Sequence, residues 1–352
     1  MIEVVNRIAE LTSCRDREQL DVALASALRD LLQPHSVTIQ RCVGEGDDRH
    51  WLTRARLSAG SAVATFDEPW SELHTLPKLV ATDARCLAFS EQRMVLVPGP
   101  PHITCFPLYG GSAVVGVIEI ETLAAPDENV QATVQGLLHI YRNFECLLHY
   151  SERDALTGLL NRKTFDESFM KATADLELPP DHMSDDRRIG GSSSGYWIGV
   201  IDIDDFKRVN DRFGHLIGDE VLLLLSRLMG RSFRIHDRLY RFGGDEFLVL
   251  MRCHGEDDAT HVFQRFRSNT ELFQFPQVGT VTVSVGFTAV RPGDTPSSAF
   301  QRADKAVYHA KASGRNQVCS HAELLASGIL IDHDARAGPS NSPSEPRPSA
   351  PT

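Results

Sequence analysis

Apolar residues recur at helical spacing at the start of the chain, at Val4, Val5, Ile8, Ala9 and Leu11, then at Leu20, Leu24, Leu28, Leu31 and Leu32. Short strand-like runs follow at Val37–Ile39, Trp51–Leu52, Arg93–Val97 and Ile103–Pro107. Val114–Ile120 closes the set after the turn signal Gly110-Gly111. Helices first and an antiparallel sheet after them predict an α/β domain over residues 1–126. Val130, Val134, Leu137, Tyr141, Phe144 and Leu148 then step alternately by four and three residues. That seam of period 3.5 predicts a helix over residues 127–150 that pairs with a second helix in a parallel coiled coil. The competing reading is one amphipathic helix docked on its own domain.

The second half carries a different pattern. Trp197–Ile201 is a near-continuous apolar run, as expected of a strand buried on both faces. Around it lie helical patterns at 162–176, 206–212 and 219–229, the last with Val221, Leu222, Leu225 and Leu228 inward. A hairpin at 238–251, a helix at 256–272, a strand at 281–287 and a helix at 297–312 complete the series. The order β-α-α-β-β-α-β predicts a split, ferredoxin-like palm over residues 151–321, so the fold class expected for the chain is α+β. Leu178 to Gly195 (LPPDHMSDDRRIGGSSSG) has the composition of a mobile loop. The tail from residue 333, Pro/Ser-rich over Pro339–Thr352, is expected to be disordered.

The candidate chemistry sits where strands end. The Trp197 strand runs into Asp202-Ile203-Asp204-Asp205-Phe206-Lys207, and three carboxylates closing a buried strand are costly unless something cationic neutralises them. Between Leu239–Phe242 and Phe247–Met251, Gly243-Gly244 reads as a tight hairpin turn that sets Asp245 and Glu246 at its tip. Alone, that string also reads as a solvated acidic turn. An acid at a central strand's end beside an acid at a hairpin turn is how polymerases and nucleotide cyclases hold a hard divalent cation over a triphosphate.

Composition narrows the partners. The 352 residues carry a formal net charge of -11 with a pI near 5.7, which argues against general nucleic-acid or anionic-membrane binding. The seven cysteines form no CxxC and read as reduced packing thiols. His35, His50, His74 and His102 are isolated rather than at metal spacing. No apolar run is long enough to span a bilayer, and Glu3, Arg7 and Glu10 make the start unlike a signal peptide, so a cytoplasmic location is expected.

Five separated motifs then agree in order and spacing: Asp154-Ala155-Leu156-Thr157-Gly158-Leu159-Leu160-Asn161-Arg162, the Asp202–Lys207 segment with Asn210 and Asp211, Phe213–Glu220, the GGDEF hairpin, and Ala303–Asn316. Together they resemble a GGDEF domain, the catalytic domain of diguanylate cyclases. The resemblance implies a homodimer that condenses two GTP into cyclic di-GMP. It implies a magnesium ion, with manganese as the alternative, on Asp202, the Ile203 carbonyl and Asp245. Asp245 would also assist deprotonation, Glu246 would support metal or substrate, and Lys207 would stabilise the transition state.

Asn210 and Asp219 would read guanine, His215 would line the pocket, and Gly243 and Gly244 would leave room for the nucleotide. Lys311 and Arg315, at i and i+4 on the last helix, would bind phosphate. Arg234 and Asp237 have the RxxD form of the family's allosteric product site; elsewhere they would be a surface ion pair. Residues 1–126 resemble a GAF-type sensory domain for an unidentified small-molecule or protein signal, with a PAS-like module as the alternative. A catalytically silent GTP or cyclic di-GMP receptor is the second functional reading, a different cyclic purine nucleotide the third.

Overall fold

The computed structural model describes residues 2–44, 46–61, 63–67, 73–177, 195–234 and 236–331. Of the loop expected over Leu178 to Gly195, residues 178–194 lie outside the described residues, as does the expected tail from 333, while Gly195 opens a strand. In the N-terminal unit, α1 (Ile2–Ser13) and α2 (Arg17–Leu32) precede β1 (Ser36–Val43) and β2 (His50–Ser58). Then come α3 (Ala84–Glu91), β3 (Val95–Val97), β4 (His102–Gly110), β5 (Ala113–Thr122) and α4 (Glu128–Glu152). The antiparallel sheet has the order β2-β1-β5-β4-β3. Its alternating residues separate two faces. Val37, Ile39, Phe106, Leu108, Ile118 and Ile120 meet the helices α1, α2 and α4, whereas Trp51, Cys105 and Val117 meet α3.

On helix α4 the seam expected over residues 127–150 faces its own domain. Val134, Leu137, Tyr141 and Leu148 are buried in the same core as Leu20, Leu24 and Leu28 of α2. The seam is filled within one chain because α2 and the sheet already offer an apolar surface for it to cover. A buried polar cluster fixes the contact: the Tyr141 hydroxyl donates to Asp21, and Arg41 Nη2 donates to Tyr141 Oη at 2.5 Å and to Asp21 at 3.1 Å. On the opposite side of α4, Leu147 and Tyr150 are 63% and 82% exposed.

The C-terminal unit begins with β6 (Leu160–Asn161), α5 (Arg162–Glu177), β7 (Gly195–Ile203), α6 (Phe206–Phe213) and α7 (His215–Ser232). It continues through β8 (Arg238–Gly243), β9 (Glu246–Cys253), α8 (Glu256–Leu272), β10 (Gln274–Phe275), β11 (Gly279–Thr280) and β12 (Val283–Ala289). It ends with α9 (Pro296–Ala312), β13 (Val318–Ser320) and α10 (His321–Ala326). The main sheet runs β13-β12-β7-β9-β8-β6, with β7 central and antiparallel to both neighbours.

Strand β7 is buried on both faces, as its apolar run predicts. Ile198 and Val200 pack with Phe165 and Ala303, while Trp197, Ile201 and Ile203 pack with Phe263 and Leu225. Gly199 sits between because a Cβ there would lie 2.1 Å from a Phe263 ring carbon. Helix α7 starts at His215 rather than at Asp219, directly after Gly214 at φ 85. The two units meet at the start of α2, where Lys171 of α5 pairs with Asp16 and Glu18, each at 3.0 Å. Arg238 of β8 reaches Glu18 at 3.6 Å.

Candidate active site

The registers of the central strands bring the acids together. Asp202 on β7 stands opposite Glu246 on β9, and directly opposed residues of antiparallel strands have Cβ atoms about 5 Å apart. Gly243 pairs with Glu246, so the turn residues are Gly244 and Asp245, with Gly244 at φ 53 supplying the left-handed bend. The Ile203 amide donates to the Asp245 carbonyl at 3.4 Å, tying the strand end to the turn. Arg241 pins the same turn: its guanidinium donates twice to the Gly244 carbonyl, at 2.8 and 3.1 Å, and to Asp154 Oδ1 at 3.0 Å. Asp154 in turn accepts from the Thr157 amide and hydroxyl. The motif spacing carried these positions, but nothing in it showed that Arg241 and Asp154 brace the turn.

Asp202 is the electrostatic centre. It is 7% exposed; one oxygen, Oδ2, lies 2.5 Å from Lys311 Nζ, and the other is buried with no hydrogen-bond partner. Burial, with the Asp245 and Glu246 charges beside it, pushes its carboxyl up to about 6 although Lys311 pulls the other way. Glu246 is also raised, by burial and then by Asp304 and Asp245. An orphaned carboxylate oxygen beside two further acids suits a hard cation. Among the described residues, no three His, Cys, Asp or Glu side chains gather closely enough to hold an ion unaided. The donor set therefore suits an ion that would share its coordination with backbone carbonyl and phosphate oxygens.

The strand end neutralises its three acids in three different ways. Asp202 faces Lys311; Asp204 is satisfied by hydroxyl and amide donors from Thr282, Ser284 and Asn316; Asp205 is exposed at φ 54. The cations surround this end. Lys207 is exposed on α6, Lys311 is half-buried on α9, and Arg315 is exposed with Nε 3.4 Å from Asp205. Arg315 does not share a helix face with Lys311. Helix α9 ends at Ala312, and the chain turns through Gly314 at φ 113 and Arg315 at φ 64.

Helices α6 and α7 border the groove. Asn210 is half-buried, and His215 and Asp219 are exposed one turn apart on α7. Gly218, part of the Phe213–Glu220 motif but given no role there, is what lets Asn210 sit there: a Cβ on Gly218 would lie 1.9 Å from Asn210 Oδ1. At the other end of β8, about 17 Å away at five residue steps, Arg234 and Asp237 form a reciprocal turn. The Asp237 carboxylate accepts from the Arg234 amide at 2.8 Å, and the Asp237 amide donates to the Arg234 carbonyl at 3.0 Å. The Arg234 side chain is exposed, and burial pushes the Asp237 carboxyl up to about 6.

Residues 151–317 match the family described as "Diguanylate cyclase, GGDEF domain". The response regulator PleD of Caulobacter vibrioides (strain NA1000 / CB15N) is 36% identical over 194 residues, 52% of this chain and 39% of that protein. Diguanylate cyclase DgcP of Pseudomonas aeruginosa is 33% identical over 199 residues, 56% of this chain and 28% of that protein. The crystal structure of the coiled coil and GGDEF domain of DgcB from Caulobacter crescentus in complex with c-di-GMP is similar at a TM-score of 0.46. Its identity is 26%, over 55% of this chain and 97% of that one. The chain spans 39% and 28% of the length of the two curated relatives. Fold and site define a palm-type α+β domain with an acid-lined strand end. Residues 151–317 are a GGDEF domain. No helix among the described residues is long and apolar enough to cross a membrane.

Proposed function

We propose that the protein is a diguanylate cyclase that joins two GTP into cyclic di-GMP with loss of two pyrophosphates. The observation that carries this reading is the buried Asp202 carboxylate, one oxygen on Lys311 and the other unpartnered, opposite Glu246 and beside the Asp245 turn. In this reading Asn210 and Asp219 hold guanine, because a carboxylate accepts from both N1–H and the exocyclic amine, which adenine does not offer together. His215 lines the same pocket, and the exposed Gly243 and Gly244 let the nucleotide approach the turn. Lys207, Lys311 and Arg315 hold the triphosphate. A divalent ion, magnesium here with manganese as substitute, would polarise the α-phosphate and offset charge on the departing pyrophosphate.

Asp245 takes the proton of the 3′-hydroxyl, whose oxygen bonds to the α-phosphorus of the other nucleotide as the bond to pyrophosphate breaks. Glu246 supports the ion and the substrate. The step repeated in the opposite sense closes the ring. Positioning and electrostatics supply most of the rate in such a transfer.

Because each site holds one GTP, two chains have to face each other. The inner seam of α4 is already filled, so we place the pairing on its outer side, at Leu147 and Tyr150. Arg234 and Asp237 serve as the product-inhibition site, and residues 1–126 as a GAF-like sensory domain. Incubation of the purified protein with GTP and magnesium should yield cyclic di-GMP, and Asp245→Ala should abolish it. A wild type as inert as that variant refutes the proposal.

A further inference from the structure

Asp204 is a buried carboxylate one residue past Ile203, and the reaction just described gives it no task. It is 7% exposed, and both its oxygens are engaged. Oδ1 accepts from the Ser284 hydroxyl at 2.6 Å; Oδ2 accepts from the Thr282 hydroxyl at 2.7 Å and the Asn316 amide at 2.9 Å. Its own amide donates to the Thr282 carbonyl at 2.9 Å. Three donors occupy three of the roughly four acceptor sites of this buried carboxylate. They link three parts of the chain: the end of β7, the start of β12 and the turn after α9.

That turn carries Arg315, and its backbone is unusual. Gly314 lies at φ 113, and two successive residues with side chains, Arg315 and Asn316, lie at φ 64 and φ 46. Non-glycine residues hold such angles only when their surroundings impose them. The restraints are visible. The Arg315 amide donates to the Ala310 carbonyl at 3.0 Å, and the Asn316 side chain is tied to α8 by Arg267 at 2.8 Å and Glu271 at 2.9 Å. Asp204 supplies the remaining tether, from the strand that carries Asp202. The guanidinium of Arg315 thereby comes to rest beside Asp205, at the mouth of an open groove that Asp204, Thr282 and Asn316 also line.

We infer that Asp204 is a positioning residue: it locks the Gly314–Asn316 turn to the end of β7 and so sets Arg315 where it meets the phosphates of the nucleotide. The inference rests on the nucleotide-binding reading of this site, and acts through Arg315 rather than on substrate. Asp204→Asn keeps the shape but loses the charge and turns an amide donor towards donors. Arg315→Ala removes the group being positioned.

The test is a double-mutant cycle on binding of a non-hydrolysable GTP analogue with magnesium, with turnover of GTP measured alongside. Each single variant should bind the analogue about tenfold or more weakly, the lower end of what a charge-assisted hydrogen bond is worth. The double variant should be no weaker than Arg315→Ala alone. A general loosening of the fold would instead add to the Arg315→Ala effect, and full additivity or wild-type binding by Asp204→Asn overturns the inference. Wild type that binds the analogue without turnover refutes the cyclase reading but leaves the cycle readable; wild type that does not bind it overturns both.

Amide exchange on the unaltered chain gives an independent reading should Asp204→Asn not fold. The Asn316 amide should be protected although its turn is at the surface. Exchange there at the rate of an unstructured peptide overturns the inference.

Discussion

Asp202→Asn should make the protein more stable while silencing it. In the folded chain the carboxyl of Asp202 titrates near 6 instead of at its ordinary 3.8. Burial is the largest cause, and the neighbouring Asp245 and Glu246 add to it. The folded state therefore binds the proton more tightly than the unfolded chain. The stability this represents is complete below pH 3.8 and is lost as pH rises through 6. A shift of about two units at 1.36 kcal/mol each comes to about 3 kcal/mol at pH 8. Asparagine has the shape of the protonated acid, so it should recover most of that. The value near 6 already contains the pull of Lys311, so the lost contact subtracts nothing further. Urea unfolding in EDTA should show the variant about 2–3 kcal/mol more stable at pH 8 and nearly level with wild type at pH 4. Cyclic di-GMP formation should be lost. A variant no more stable than wild type at pH 8, or a gain that does not change with pH, would refute the reasoning.

Three further outcomes follow from other parts of the molecule. Gly218→Ala, whose Cβ would meet Asn210 Oδ1 at 1.9 Å, should raise KM for GTP about tenfold or more by displacing a base-reading amide, with kcat changed less; an unchanged KM would show that Asn210 does not read the base. Arg234→Ala should leave turnover intact and raise the product concentration needed for inhibition, and steady-state rates with added cyclic di-GMP would check it. Leu147→Asp with Tyr150→Asp should cut the specific activity at low protein concentration and spare it at high. A dilution series showing equal loss throughout would place the pairing elsewhere.

The sequence made β7 legible because an apolar run ending in three acids has few other uses, and the hairpin legible because a left-handed turn asks for glycine. The acids' separate fates were not legible. Nothing local tells that Asp204 spends its charge on hydroxyls and an amide 78, 80 and 112 residues further on. For Arg315, i,i+4 spacing to Lys311 suggested one helix face, and a turn through Gly314 overrode it. The heptad seam of α4 shows the same limit at larger scale. A stripe of period 3.5 states that a helix has something to bury against, and within this chain α2 and the sheet supply it. Strands β6, β10, β11 and β13, two or three residues each, exist through pairing and carry too little pattern of their own to be read.

In the proposed cyclase, Lys311 has two clients and one charge. Its ammonium sits on Asp202 and serves as the counter-ion that a buried carboxylate requires. A cation arriving alone must evict an occupant of its own sign and leave that occupant stranded. A triphosphate arriving alone finds the lysine already engaged. Were the two to come together the exchange would be even: Asp202 would trade an ammonium for a stronger charge, and the lysine would be released to phosphate. Ion and nucleotide should therefore strengthen each other's hold, with the side chain of Lys311 as the go-between.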